Sequence, residues 1–165
     1  MRVQEAFITG RQLLMRPGTL TLSVLVGLLM VAVPQSGPAN HRQPLSNIQL
    51  KSGSFRIHAK VAATPRQREE GLAHRRVLPF NQGMLFVWPT AAKYCMWMKE
   101  TSMPLTALFL SDQGVVVSLA AMAPHSLDRH CAPEPVRYIL ELPGSRGEPM
   151  GITRGSVIDG LPAEK

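Results

Sequence analysis

The chain has 165 residues, of which 45% are hydrophobic and 18% charged, with 14 Pro and 13 Gly. This composition excludes a collagen, a coiled coil and a multi-span membrane protein, and the length suits one domain with a single hydrophobic core. The formal net charge is +7, but the basic residues are dispersed and few aromatics lie among them, which argues against a nucleic-acid partner.

The first 39 residues have the pattern of a secretory signal peptide. Arg2, Arg11 and Arg16 form a basic leader, and residues 19–33 follow without a charge. As a helix, this run would span roughly 22 Å, which is short of the ~30 Å hydrocarbon core of a bilayer. Gly37 and Ala39 place small residues before Asn40, so we expect cleavage there. The alternative is an uncleaved membrane anchor.

Cleavage would place the mature chain outside the cytoplasm, in the periplasm or the extracellular space. It would also reduce the net charge to +5. The membrane would then be a partner only through the N-terminal segment, and only if that segment is retained. We expect the mature chain to consist of a tether or edge strand over 40–52 and a single domain over 53–161.

The next segment combines a strand with a short helix. Residues 55–61 alternate between apolar and polar side chains, the pattern of a half-buried strand. Thr64, Pro65 and Gln67 then form a capping box with proline at the first helical position. We expect a helix of two to three turns, in which the acidic residues at 69–70 precede the basic ones at 74–76 as the helix dipole prefers.

The remainder of the chain favours short strands joined by turns. Apolar or β-branched runs predict strands at 84–88 (ended by Pro89), 94–98, 105–110, 115–117, 138–142 and 155–158. The turn at 111–114 ends in glycine and predicts a hairpin, while 123–135 reads as a long loop. The predicted fold is therefore mainly β, a small sandwich or barrel-like domain with one short α-helix after the first strand.

Cys95 and Cys131 are the only cysteines in the chain. Cysteine pairs in oxidising compartments usually form disulfides, and closing this loop would stabilise the fold by roughly 3 to 4 kcal/mol. A disulfide is our prediction, and free thiols or a metal site are the alternatives.

The metal alternative rests on a group of soft ligands that would suit copper(I). Its members are Cys95, Met96, Met98, His130 and Cys131. Methionines at alternating positions are more often core residues, however, and familiar zinc spacings are missing from the sequence. We therefore predict no metal and no cofactor.

Catalytic motifs are also missing from the sequence: it has no nucleophile elbow and no phosphate-binding loop. His58, His74, His125 or His130 could pair with a cysteine as base and nucleophile. A disulfide would consume those thiols, so we predict no catalytic residues.

A family resemblance covers residues 54–161. It rests on the runs TP at 64–65, EGL at 70–72, GMLFVWP at 83–89, WMKETSMPL at 97–105, DQG at 112–114, PVRYILE at 135–141 and GI at 151–152. In order and spacing these resemble the domain of unknown function 192. The resemblance implies a compact, mainly β domain and brings no established activity, substrate or cofactor.

The chain departs from the family pattern at several positions. Glu100 stands where the pattern usually has Asn, Thr106 and Ser156 stand where it has Asp, and the usual aromatic after Pro143 is missing. If the Lys-Asn-Thr element of the pattern binds a ligand, the replacement of its Asn by Glu100 would affect that binding in this chain. The alternative is that Lys99 and Thr101 stabilise a tight turn before Pro104.

The most distinctive stretch also suggests a binding face. Alternation places Trp97 and Lys99 on the side opposite the methionines. The candidate face consists of Trp97, Lys99, Glu100, Thr101, Arg137 and Glu141. We predict a non-enzymatic envelope accessory or binding module whose partner is an envelope component or a small polar ligand; the alternative is copper handling or an unrecognised enzyme.

Overall fold

The computed structural model describes residues 44–144 and 149–163. The predicted signal peptide and residues 40–43 of the predicted tether lie outside the described residues. Within the described part of the chain, no helix has the length and apolar character needed to cross a membrane.

Strands dominate the described residues, with one short helix among them. The strands are β1 (Ser46–Ser52), β2 (Phe55–Ala62), β3 (Gln82–Ala92), β4 (Cys95–Met96), β5 (Leu105–Leu110), β6 (Val116–Met122), β7 (His130–Cys131) and β8 (Val136–Pro143). Helix α1 spans Pro65–Glu70, and a short 3₁₀ segment spans Pro149–Gly151. The predicted mainly β fold with one short α-helix is therefore confirmed.

Six of the strands form one mixed sheet in the order β1-β2-β3-β8-β5-β6. β2 and β3 are parallel and are connected through α1, whereas the other neighbouring pairs are antiparallel. β4 and β7 form a separate two-stranded ribbon. Isolated bridges join Val115 to Val157 and Lys51 to Asp159. The C-terminal segment therefore contacts both edge strands, which makes the sheet barrel-like.

Each face of the sheet carries its own hydrophobic cluster. Alternation along β3 directs Leu85 into one cluster and Phe86 into the other. We call the cluster that contains Leu85 the inner cluster, since it also includes Ile158 of the C-terminal segment. The outer cluster contains Phe86 and is completed by Met96 and Met98, which follow β3 in the chain.

The start of the domain follows the predicted pattern closely. Residues 46–52 form an edge strand that pairs with β2. Thr64 caps α1 by accepting a hydrogen bond from the Gln67 backbone N–H at 3.2 Å. The Gln67 side chain accepts one from the Thr64 N–H at 3.0 Å in return, which completes the predicted capping box.

The end of α1 differs from the prediction. The helix has six residues, fewer than two turns, because the chain leaves helical geometry at Gly71, where φ is +48° and ψ is −129°. This conformation favours glycine. The basic residues at 74–76 lie beyond the helix, so the predicted match between charge order and helix dipole is wrong.

Several strand boundaries also differ from the prediction. β3 continues through Pro89 instead of ending there. Its pairing with β8 shifts register between Val87 and Ala92, so Pro89 lies in a stretch where it removes no hydrogen bond from the ladder. The expected strand at 94–98 is reduced to two residues, and the strand at 115–117 extends to Met122. The loop at 123–135 contains β7, and 155–158 forms bridges rather than a strand.

Candidate functional site

The side chain of Glu141 lies on the outer face of the sheet, in one of its central strands. β8 is flanked by β3 and β5, and Glu141 lies directly opposite Met84 on one side and Ala107 on the other. Both neighbours belong to the outer cluster. Glu141 is consequently only 3% exposed, although acidic residues are seldom buried without a partner.

The carboxyl group of Glu141 has no partner among the described residues: neither a hydrogen bond nor an ion pair reaches it. Burial alone therefore acts on its titration and raises the pKa from 4.5 to about 8. Desolvation disfavours the charged form of a carboxyl group. Near neutral pH, Glu141 is mainly a neutral carboxylic acid.

Glu141 borders a small cavity between α1 and the segment that follows β3. The cavity has a volume of about 110 Å³. Its polar and charged lining side chains are Arg68, Glu69, Glu70, Lys99, Thr101 and Glu141, and its aromatic ones are Phe86, Trp88 and Trp97. A buried titratable group at a small cavity with converging polar side chains is a typical feature of a binding site.

Arg68 and Trp88 form one wall of the cavity. The Arg68 guanidinium donates to the carbonyl of Ala63 and, at 2.9 Å, to that of Val87, and it lies 5.4 Å from the centre of the Trp88 ring. Trp88 also stacks against Tyr94 with ring centres 4.2 Å apart. Partial desolvation lowers the pKa of Arg68. These contacts orient the guanidinium toward backbone carbonyls.

A tight turn at 98–101 forms the opposite wall. The Thr101 N–H donates to the Met98 carbonyl at 3.0 Å, and Glu100 has a φ of +58°. Neighbouring loops hold the turn in place, because the His74 N–H donates to the Glu100 carbonyl and the His125 N–H to the Thr101 carbonyl, each at 3.0 Å. Thr101 is 5% exposed.

The structure brings together four of the six residues predicted for the binding face. Trp97, Lys99, Thr101 and Glu141 line the same cavity. Burial of Met96 and Met98 with exposure of Trp97 also agrees with the expected alternation, although the backbone beyond Met96 is not a strand.

The other two predicted residues lie elsewhere. The Glu100 carboxylate lies 3.6 Å from the His74 imidazole at an exposed site. Arg137 donates from Nε to the Trp88 carbonyl at 3.0 Å, and its guanidinium lies 5.7 Å from the Tyr138 ring centre. Glu100 and Arg137 therefore shape the surroundings of the cavity rather than its lining.

Sequence reasoning missed Arg68, Glu69, Glu70 and Trp88. The capping box had located α1 correctly, but periodicity does not show which part of the sheet a helix covers. A glutamate inside the apolar run at 138–142 was the available signal that a polar group is buried there.

The sulfur-containing residues of the metal alternative are spread over different environments. Cys95 and Cys131 are joined by a disulfide across the β4–β7 ribbon. Met96 and Met98 are buried in the outer cluster, and His130 pairs with Met96 across the ribbon. In residues 44–144 and 149–163, no three His, Cys, Asp or Glu residues group together as metal ligands would.

Comparison with known proteins identifies relatives of unsettled function. The family model DUF192, described as an uncharacterized ACR, matches residues 48–160. A crystal structure from Sinorhizobium meliloti 1021, described as a proposed transcription regulator, is similar at 30% identity and a TM-score of 0.66, covering 73% of this chain and 98% of that one. A protein of unknown function from Novosphingobium aromaticivorans DSM 12444 shares the fold at 24% identity and a TM-score of 0.63, covering 78% of this chain and 94% of that one. No curated protein matches the chain.

Proposed function

The chain belongs to the DUF192 family, and within this family of unknown function we propose that it is a non-enzymatic binding module whose cavity holds a small polar ligand against Glu141. The observation that carries the proposal is Glu141, a residue only 3% exposed at the cavity, whose carboxyl group has no partner among the described residues. Burying a polar group without a hydrogen bond costs roughly 1 to 3 kcal/mol. A ligand that satisfies this group would offset that cost.

The surroundings of Glu141 suit recognition of a ligand. Thr101 lines the same cavity and carries a hydroxyl group, and Trp97 offers an aromatic surface that is 54% exposed. The backbone hydrogen bonds around the 98–101 turn hold this wall before a ligand arrives, which reduces the entropy lost on binding.

We further propose that the module acts outside the cytoplasm. The basic and apolar leader supports this, as does the Cys95–Cys131 disulfide, because disulfides persist mainly in oxidising compartments. Mass spectrometry of the protein from the envelope fraction should find a mature chain that begins near Asn40. An intact Met1 in the membrane pellet would contradict cleavage.

Nuclear magnetic resonance titrations with three small probes test the binding proposal. Ethylamine, acetate and glucose represent a cation, an anion and a neutral polar molecule. We expect at least one of them to shift the amide signals of Gly71, Thr101 and Glu141. If none of the three shifts these signals, the proposed function is wrong.

Two matched variants decide whether the shifts come from the cavity. Glu141→Leu removes the carboxyl group at a buried apolar site and should abolish the response. Glu134→Leu makes the same change at an exposed position outside the cavity lining and should leave it intact. Salt-dependent binding of duplex DNA should not occur.

Metal analysis tests the rival function in copper handling. The copper proposal needs reduced Cys95 and Cys131, whereas the structure joins them in a disulfide. Stoichiometric copper in the natively purified, unreduced protein would favour the rival over the binding module.

A further inference from the structure

We propose that the ligand of the Glu141 cavity carries a primary ammonium group on a short, unbranched alkyl chain. This inference rests on the proposed function and names the class of ligand. It follows from the buried carboxyl group of Glu141, a hydroxyl acceptor in the same lining, the aromatic side chains of that lining and the size of the cavity.

The buried carboxyl group provides the first argument. Once ionised, Glu141 would be an anion in an apolar layer formed with Met84 and Ala107. No described cation pairs with it. An ammonium ion entering the cavity would supply the missing charge, and opposite charges at low dielectric attract strongly.

Thr101 provides a second acceptor. Its hydroxyl donates to the Lys99 carbonyl at 3.4 Å, which leaves the lone pairs of Oγ1 available. An ammonium group has three donors and no acceptor. The cavity lining therefore combines a carboxylate with a hydroxyl acceptor, both on buried residues.

Aromatic faces complete the match to a cation. Phe86 and Trp97 both line the cavity, and a ring that presents its face to the cavity would attract an ammonium group. Trp97 is 54% exposed and can also cover the alkyl chain of a ligand. A cavity of about 110 Å³ holds a head group of a few heavy atoms.

The exposed charged residues that line the cavity, which we call the rim, favour a cation over an anion. Glu69 and Glu70 are exposed acidic residues on α1 at the cavity. Arg68 directs its guanidinium to the carbonyls of Ala63 and Val87. Lys99 is the opposing charge, but it is exposed, and solvent weakens its interaction with a bound ion.

The pH dependence of binding separates an ammonium ligand from the other two classes. The charged residues that line the cavity with Glu141 are Arg68, Glu69 and Glu70 from α1 and Lys99 from the turn; β3 and β5 contribute the non-titrating Met84 and Ala107. Between pH 7 and 9, exposed acidic and basic side chains ordinarily keep their charges, as does an alkylammonium ion. With its pKa raised to about 8, Glu141 changes from mostly neutral to mostly ionised over this range.

The test measures the affinity of the full chain for ethylamine, acetate and glucose at pH 7 and pH 9. For ethylamine we expect affinity to rise about tenfold with pH, following the ionised fraction of Glu141. Glu141→Gln should bind ethylamine at least about tenfold more weakly and lose the pH dependence, whereas Glu134→Gln should behave as wild type.

The variant Lys99→Ala provides an independent test of the charge of the ligand. It removes a cation from the rim at an exposed position, so the fold should be retained. Ethylamine should bind a few-fold more tightly to this variant, whereas a ligand anion would bind more weakly. Comparing the affinity for Nα-acetyl-lysine amide with that for ethylamine then shows whether the natural ligand is a small free amine or a lysine side chain.

Failure of this inference is distinguishable from failure of the proposed function. If acetate binds and its affinity falls between pH 7 and 9, the cavity is a ligand site for anions and the ammonium proposal is overturned. Glucose binding without pH dependence overturns it in the same way. If no probe binds, the proposed function itself fails.

Discussion

The pKa of the Glu141 carboxyl group depends on the position of the residue in the sheet. In an unfolded chain its pKa is near 4.5, and burial in the folded protein raises it to about 8. Between these values the folded state holds a proton that the unfolded state has lost. Protonation therefore favours folding, and stability falls as the pH rises from 4.5 toward 8.

Replacing Glu141 by Gln should remove this pH dependence. We expect the wild type to lose up to roughly 1.4 kcal/mol of unfolding free energy per pH unit over that range relative to the variant. Urea unfolding at pH 5, 6, 7 and 8 measures the difference, and Glu134→Gln is the control because Glu134 is exposed. A difference between wild type and Glu141→Gln that does not change with pH would show that Glu141 titrates normally.

Glu100 occupies a backbone conformation that suits asparagine or glycine. Its φ of +58° is in the left-handed region, where most side chains crowd the backbone at a cost of about 1 to 2 kcal/mol and asparagine does so less. This explains in physical terms why the family pattern resembled by residues 97–105 usually has Asn here.

Glu100→Asn should therefore stabilise the protein, by up to about 1 kcal/mol. The exposed contact with His74 that is lost contributes little, as is typical of surface pairs. Thermal unfolding measures the gain, with Glu100→Ala as a control that should stay within about 0.5 kcal/mol of wild type. A destabilised Glu100→Asn variant would mean that the Glu100 side chain itself holds the turn.

At the scale of elements, α1 contributes most of the charged side chains of the cavity. The six residues of this helix are too few for independent stability, so the capping box and the contacts of Arg68 hold it in place. Gly71 ends the helix in a conformation that returns the chain across Phe86, so close that a Cβ atom on residue 71 would lie only 3.3 Å from that ring.

Thr64→Ala should loosen α1 and with it the cavity wall. Loss of an N-cap threonine costs about 1 kcal/mol. We expect a fall of that size in urea unfolding and weaker binding of whichever probe occupies the cavity. Thr90→Ala, at an exposed position of β3, is the control for binding. Unchanged stability in Thr64→Ala would show that packing alone positions the helix.

At the scale of the whole molecule, two connections tie distant parts of the chain together. The C-terminal segment pairs with both edges of the sheet: the Asp159 N–H donates to the Lys51 carbonyl at 2.8 Å, and the Ile158 N–H donates to the Gly114 carbonyl at 2.9 Å. The disulfide joins residues 36 positions apart and links the 123–135 loop to Cys95, which lines the cavity.

Replacing both Cys95 and Cys131 by serine should reduce the unfolding free energy by roughly 3 to 4 kcal/mol, because the unfolded chain gains freedom. Urea unfolding of the double variant measures the loss. In the wild-type protein isolated from its own compartment, neither thiol should react with an alkylating reagent until a reductant is added. Full alkylation without reductant would contradict the disulfide.

Local features of this protein could be predicted because they depend on neighbours in the chain. The capping box at Thr64, the alternation at 55–61 and the hairpin around 111–114 involve residues a few positions apart, and hydrogen bonding or periodicity determines them directly. The resemblance at 97–105 and 135–141 also located Lys99, Thr101 and Glu141, although the sequence alone did not show that they share a cavity.

Only the tertiary structure decided what surrounds those residues. Glu141 is buried because β8 lies between β3 and β5, and Arg68 reaches the same cavity because α1 connects two parallel strands. The ends of α1 and β3 likewise follow from Gly71 and from the register shift near Pro89 rather than from local propensity. Strand order and helix placement depend on contacts between distant residues, and one-dimensional periodicity carries no information about those contacts.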